Sequence, residues 1–335
     1  MTNSADISVT LGIPAYGRVQ YLVEAVRSAV KQSVPAHEII ISQNAHPDAE
    51  TDERVQNAIT KLSAEHSSVR ANRNIENCNL SSNINSIADQ ATGEYVAFVG
   101  DDDRFRKDFI ELVLHNLDSR PDVLFGNHNI IDHQGIVQKE FTRRNSMKYF
   151  RDRLHTGVMT GADARQAAWN CSVPIFSAAI RTSVLREKRL IDDLYGADTE
   201  FFARLAEGDG TFAFINDTLT EIRYHLGNIG KPGGQYARLV EALHNIPVSA
   251  SSGVLKQDLI SAYTAITVKK LILEGNIQDA RNFLHRFGAE VNRMVKSKVA
   301  FQRLCLAMPD RMGKVLYSSV ATVIRAVSDT PQLNR

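Results

Sequence analysis

Between residues 7 and 99 the chain alternates short apolar runs with segments of helical periodicity, and this alternation narrows the fold more than any other feature. Residues 7–13 form a β-branched run that Pro14 closes. Residues 21–31 place Leu22, Val26, Ala29 and Val30 on one helical face, with Pro35 beyond the end. Residues 38–42 read as a second strand and 69–72 as a third. A helix over 52–64 carries Val55, Ile59 and Leu62 at helix spacing, and another over 81–91 precedes Gly93. Residues 95–99 make a fourth strand. This order predicts an α/β fold with a mostly parallel sheet flanked by helices. Such sheets bind ligands at the carboxyl ends of their strands. Pro14-Ala15-Tyr16, Gln43-Asn44 and Asp101-Asp102-Asp103 all fall at such ends, so three loops are expected to share one crevice.

The fourth strand delivers Gly100-Asp101-Asp102-Asp103. Three crowded carboxylates repel one another and are costly to bury without a counter-charge. A divalent cation with phosphate ligands is the usual relief, and hard oxygen donors suit Mg²⁺ or Mn²⁺. A solvated acidic turn is the plain alternative.

Farther on, residues 108–117 read as a helix, 123–125 and 130–131 as short strands, and 136–170 as a basic, irregular active-site loop. A helix starts at 199–205, and 211–223 holds one or two strands. The glycine-rich stretch 227–234 marks a boundary, so one domain is expected over 1–230 and a basic helical region over 231–335, with helices at 254–273, 277–287 and 311–327. The net charge of +1 conceals an asymmetry: residues 231–335 carry fifteen Lys/Arg against seven Asp/Glu, whereas the remainder is net negative. Lys269, Lys270, Arg281, Arg286, Lys296 and Arg303 among apolar neighbours suit contact with anionic lipid. A solvated basic face on a packed or dimeric helical subdomain is the alternative. Homo-oligomers are therefore expected as an option, and nucleic acid is not an expected partner.

Cys78, Cys171 and Cys305 are scattered, without zinc-ligand or disulfide-framework spacing. Residues 1–8 lack a basic-then-apolar pattern, and no stretch reaches the ~18 apolar residues of a membrane span. A cytoplasmic location, with peripheral contact at the inner face of the membrane, is expected. No Gly-X-Gly-X-X-Gly follows the first strand, which disfavours a dinucleotide oxidoreductase. Residues 227–232 are too short for a phosphate loop and put proline at its Ser/Thr position.

Four segments in order resemble the inverting nucleotide-sugar glycosyltransferases of glycosyltransferase family 2, with the GT-A fold. Ile13-Pro14-Ala15-Tyr16-Gly17-Arg18 is similar to that family's opening motif, and residues 85–93 to its stretch before the acids. Asp101-Asp102-Asp103 matches its Asp-X-Asp-type site. Ala197-Asp198-Thr199-Glu200-Phe201-Phe202-Ala203-Arg204-Leu205 looks like its Glu-Asp-X-X-Leu-X-X-Arg-Leu motif. The resemblance covers residues 6–226.

The resemblance implies transfer of a sugar from a UDP- or dTDP-linked donor to an acceptor hydroxyl, in cell-surface polysaccharide or glycan synthesis, on a glycan or lipid-linked acceptor. Asp198 is the implied general base, with Glu200 its competitor; residues two apart on a helix point away from each other, so only one should face the crevice. Asp102 is the implied metal ligand, Asp101 reaches the ribose or metal, and Asp103 supports the cation. His225 completes the metal shell or binds the leaving diphosphate, or is a surface histidine. Tyr16 stacks on the nucleobase or is a buried strand-end residue. Arg18 serves the diphosphate or forms a helix-capping salt bridge, and Pro14, Asn44 and Asn85 complete the donor site. Three positions depart from the pattern. Gln43 replaces an aspartate that accepts the nucleobase imide, Ala197 replaces the first acid of its pair, and Ile84 stands where relatives carry a basic residue. A non-catalytic nucleotide-sugar-binding or scaffold protein is the alternative from another class.

Overall fold

A computed structural model describes residues 7–74, 78–224, 232–289, 291–293 and 295–328, without the side chains of 322–328. The chain divides into two compact units, residues 1–229 and 230–335.

The first unit opens with β1 (Val9–Ala15), α1 (Val19–Val30), β2 (Glu38–Asn44), α2 (Ala49–Glu65), β3 (Val69–Asn74), α3 (Leu80–Gln90) and β4 (Tyr95–Phe98). There follow β5 (Arg104–Phe105), α4 (Phe109–His115), β6 (Val123–Ile131), α5 (Lys139–Lys148), β7 (Gly157–Met159) and α6 (Gly161–Trp169). The unit closes with β8 (Ala178–Arg181), α7 (Thr182–Lys188), α8 (Ala197–Glu207) and β9 (Phe212–Arg223). Among the described residues these strands form one sheet in the order β3-β2-β1-β4-β8-β6-β9-β5, with β7 on β9. The first four run parallel. β8 lies antiparallel between β4 and β6, and β9 runs parallel to β6.

The parallel half is buried along its length, as helices on its faces require. Every residue of β1 is buried, and α1 sets Leu22, Ala25, Val26 and Ala29 against that core. Each fully buried Leu, Ile or Val contributes about 1.5–3 kcal/mol. β1 runs through Pro14 to Ala15 rather than ending at the proline. Val99 donates to the Gly12 carbonyl, so Gly12 and Pro14 present their backbone groups to the β4 side. β4 has already ended opposite Gly12, and no partner there misses the proline N–H.

Two expectations change. The short strands at 123–125 and 130–131 are one strand, β6, whose pairing with β9 shifts register around Asn127 and hides the alternation. Residues 136–170 are not irregular throughout, since α5, β7 and α6 lie within them. No residue of α5 is buried, so it shows no apolar stripe for periodicity to detect.

The second unit contains α9 (Gly233–His244), α10 (Gly253–Glu274), α11 (Ile277–Phe287), α12 (Lys296–Ala307) and α13 (Asp310–Ser328). Val268, Leu271 and Ile272 of α10 are buried with Leu239, Val240 and Leu243 of α9. No described helix is long and apolar enough to cross a membrane.

Candidate active site

The three acids leave β4 at its carboxyl end and are all buried. One Asp101 oxygen accepts from the backbone N–H groups of Tyr16 at 2.9 Å and Gly17 at 3.3 Å, in the loop after β1. Arg18 bridges the other Asp101 oxygen at 3.4 Å and Asp102 at 2.8 Å. Asp103 accepts from the Arg223 backbone N–H at 2.7 Å, at the end of β9. Burial, then the charge of Asp102, pushes the Asp103 pKa up to about 8. Burial also raises Asp101, against the pull of the Tyr16 N–H. The protein's own donors therefore oppose, without offsetting, the cost of burying adjacent carboxylates.

Arg223 is the residue that sequence reasoning missed. It is 1% exposed and spends its whole fork on the site. Its Nε donates to the Asp102 carbonyl at 2.8 Å, Nη1 to the carbonyls of Asp132 and His133, and Nη2 to Glu24 at 2.7 Å. The guanidinium also lies 4.3 Å from the Tyr21 ring centre. One side chain thus ties the acid turn to α1 and to the loop after β6. Its signal in the sequence was slight: it directly precedes Tyr224-His225.

Gly100 allows this crowding. A Cβ there would sit 2.9 Å from an Asp103 oxygen and 3.0 Å from an Asp102 oxygen. Arg18 and Arg223 pin those carboxyl groups, so they yield only by leaving their donors. Gly100→Ala is expected to lower turnover about 10- to 100-fold with little loss of melting temperature, measurable by parallel kinetics and thermal unfolding.

At the neighbouring strand end Gln43 is 1% exposed. Its Nε2 donates to the Asp52 carboxylate at 3.1 Å and to the Asp52 carbonyl at 3.3 Å. That pairing fixes the amide orientation and leaves Oε1 buried without a partner. Asp52, in the first turn of α2, also accepts from the His46 backbone at 2.9 Å and pairs with Arg73. The His46 ring lies 4.7 Å from that of Tyr16, which is 40% exposed. A partly open aromatic face and an orphaned carbonyl oxygen therefore flank the acids.

Other expected site residues brace the scaffold. Asn44 pairs with both backbone groups of Cys78, joining the end of β2 to the approach of α3. Asn85, 1% exposed, donates to the Leu190 carbonyl at 2.8 Å and accepts from the Leu190 N–H at 3.1 Å. Ser82 holds Asp192 at 2.8 Å. These bonds fasten the segment that leads into α8. Pro14 is buried within the β1 ladder, and His225 lies outside the described residues.

α8 starts after Gly196, whose φ of 74° suits glycine, and carries Asp198 in its first turn. Asp198 keeps partial solvent contact but is crowded by protein, and burial raises its pKa against the Thr199 N–H bond. Cys171 is close enough to feel its charge. Cys171 precedes β8, whose first residues stand beside the carboxyl end of β4. Glu200 is 2% exposed and committed to Arg204, at 2.6 Å to Nε and 3.0 Å to Nη2. Arg204 also donates to the Lys188 and Arg189 carbonyls, so Glu200 serves an internal brace.

Comparison with known proteins bears on this arrangement. Residues 10–184 match the family described as Glycosyl transferase family 2. Over 195 residues the chain is 25% identical to the GalNAc(5)-diNAcBac-PP-undecaprenol beta-1,3-glucosyltransferase of Campylobacter jejuni, a match covering 58% of each chain. The match thus spans little more than half of that curated relative. Among solved structures, residues 1–349 of TarS from S. aureus, in complex with UDP-GlcNAc, align with a TM-score of 0.63 at 17% identity, over 96% of this chain and 92% of that one. The mannosyltransferase PcManGT from Pyrobaculum calidifontis, in complex with GDP-Man and Mn²⁺, aligns with a TM-score of 0.54 at 14% identity, over 97% of this chain and 90% of that one. The two structural likenesses speak for the fold.

Proposed function

The chain belongs to glycosyl transferase family 2, and from that premise we propose that it transfers a sugar from a UDP- or dTDP-linked donor to an acceptor hydroxyl with inversion. The observation that carries the donor class is the buried, unpartnered Oε1 of Gln43. Uracil and thymine both present a ring N–H that this oxygen accepts, without the charge assistance an aspartate would add. Tyr16 supplies a face for the base, and Arg18 lies where a diphosphate would meet a cation.

The donor set accommodates Mg²⁺ or Mn²⁺ in one way only. Among the described residues no three His, Cys, Asp or Glu side chains gather as a metal cage. A cation held by one or two carboxylates and completed by substrate phosphates needs no cage. Asp102 is the residue that would hold it, with Asp101 beside it. Asp103 is occupied by Arg223 and supports from behind. The ion pair between Arg18 and Asp102 has one partner 40% exposed, so it contributes about 0–1 kcal/mol and yields readily to a stronger cation. A bound cation would neutralise charge developing on the leaving diphosphate.

The carboxylate of Asp198 takes the proton of the acceptor hydroxyl as that oxygen attacks the anomeric carbon, and the carbon–phosphate oxygen bond breaks on the opposite face. The C. jejuni relative's name describes a lipid-diphosphate acceptor. A lipid-linked acceptor is proposed here too, with the basic second unit meeting the anionic membrane surface that presents it.

A donor screen that follows released nucleoside diphosphate, with and without Mn²⁺, tests the reading; absence of release with every UDP- and dTDP-sugar supplied with acceptor would overturn it. Gln43→Met keeps the bulk but removes the acceptor atom. UDP affinity is expected to fall about 5- to 100-fold, with inorganic pyrophosphate binding unchanged, as titration calorimetry would show. Equal losses for both ligands would remove Gln43 from the base site.

A further inference from the structure

Beside α5 the first unit buries a positive charge that no described carboxylate answers. Arg151 is 2% exposed. Its Nη2 donates to Oδ1 of Asn145, its guanidinium lies 5.5 Å from the Tyr149 ring centre, and its Nε–H is buried without a partner. Desolvation pulls its pKa down to about 10. Burying an arginine in this way is strongly unfavourable unless something pairs with it.

Two more orphaned groups stand beside it. His128 of β6 also bonds the Asn145 side chain, and its Nδ1 has no partner. Burial, then the charge of Arg151, pushes His128 down to about 3, so its ring is neutral. Thr220 of β9 faces His128 across the ladder, fully buried, with a hydroxyl that has no partner. In the tautomer that carries its proton on Nε2, neutral His128 offers Nδ1 as an acceptor. The cluster therefore offers a guanidinium N–H donor, a hydroxyl and one lone pair.

The surroundings favour an anion. Residues 139–153 carry six Lys/Arg against two Asp/Glu. The Tyr149 carbonyl accepts from Ser172 at 2.7 Å. The neighbouring Cys171 feels both Lys148 and Asp198, so this basic segment lies on the side of the candidate base. α5 buries none of its own residues, and polar contacts of Thr142 and Asn145 hold it to β6 and to Arg151. Phe150, at the turn that joins it to Arg151, holds a left-handed φ of 58°.

We propose that Arg151, His128 and Thr220 form a binding site for a hydrogen-phosphate group carried by the acceptor as a terminal monoester, not as a diphosphate linkage. A singly protonated phosphate ester offers oxygens to Arg151 and Thr220 and one hydroxyl to His128; a carboxylate has no proton to give. Assignment to the acceptor rests on the reading of Asp198 as base, whereas the anion site does not.

The test uses the full chain and needs no sugar donor, so its outcome is independent of turnover. Thermal unfolding is followed at constant ionic strength with glucose 1-phosphate, inorganic phosphate or acetate. The native chain is expected to gain about 2–4 °C with the phosphate ester at roughly ten times its dissociation constant, and nothing with acetate. Arg151→Met and Thr220→Val should lose that gain, while Arg18→Met, altered at the donor site, keeps it. Without ligand, Arg151→Met should melt at or above the native temperature, because an unpaired buried charge is gone; should it fail to fold, Thr220→Val carries the test alone. A gain that survives in the Arg151 or Thr220 variant, or none in the native chain, would overturn the site and leave the orphaned atoms to a buried water. A gain with inorganic phosphate alone would overturn the assignment to the acceptor.

Discussion

Asp198→Asn is expected to lower kcat by about 10²- to 10⁴-fold, the usual contribution of a positioned general base, with UDP affinity nearly unchanged. The amide keeps the shape and loses the basicity, and equilibrium binding set beside single-turnover kinetics separates the two. The pH profile should agree. Burial raises the Asp198 pKa, so the acid limb of kcat/KM should lie above the ~4 of an ordinary aspartate and vanish in the variant. Stability follows the same sign. A carboxyl whose folded pKa exceeds its unfolded one imposes no cost below the unfolded value. The cost grows as pH rises through the folded pKa and is fully present above it. At neutral pH the Asn variant should therefore melt at or above the native temperature. Glu200→Gln should do the reverse, costing about 1–3 kcal/mol through the Arg204 brace while sparing kcat in the folded fraction. If Glu200→Gln abolished kcat and Asp198→Asn did not, the roles of the two acids would be exchanged.

Asp102→Ala carries the second large effect. Turnover should fall about 10²- to 10³-fold, the scale of losing one preorganised stabiliser of transition-state charge. Its response to Mn²⁺ should flatten, because the carboxylate proposed to hold the cation is absent. The same change frees Arg18, whose shortest described pairing is with Asp102 at 2.8 Å. UDP should then bind with similar or higher affinity in metal-free buffer. Full Mn²⁺-stimulated turnover in this variant would move the cation elsewhere. Asp101 forms a different contrast, since its bonds to the Tyr16 and Gly17 N–H groups hold the loop after β1.

The parallel half of the sheet was legible because its signals are local. β1, β2 and β4 announce themselves as apolar runs, and α1 and α2 as stripes at helix spacing. The antiparallel half was harder. β8 is four residues long and β5 two, too short for a period, and β6 hides its alternation behind a shift in register. The motifs singled out Asp101, Asp102, Asp198 and Gln43 but not their partners. Asp52 looks like any acid in a first helical turn, yet it orients Gln43. Asn85 looked like a ligand contact, yet its amide holds Leu190 across a sequence gap of 105. Such pairings leave no trace in spacing.

Residue order alone determined the strand–helix alternation, the strand ends at which chemistry collects and the family to which the chain belongs, because each depends on neighbours within a few positions. Tertiary structure alone decided which acids meet Arg18 and which meets Arg223, and which polar atoms are left without a partner. Those outcomes depend on groups up to two hundred residues apart, brought together only when the sheet closes around them.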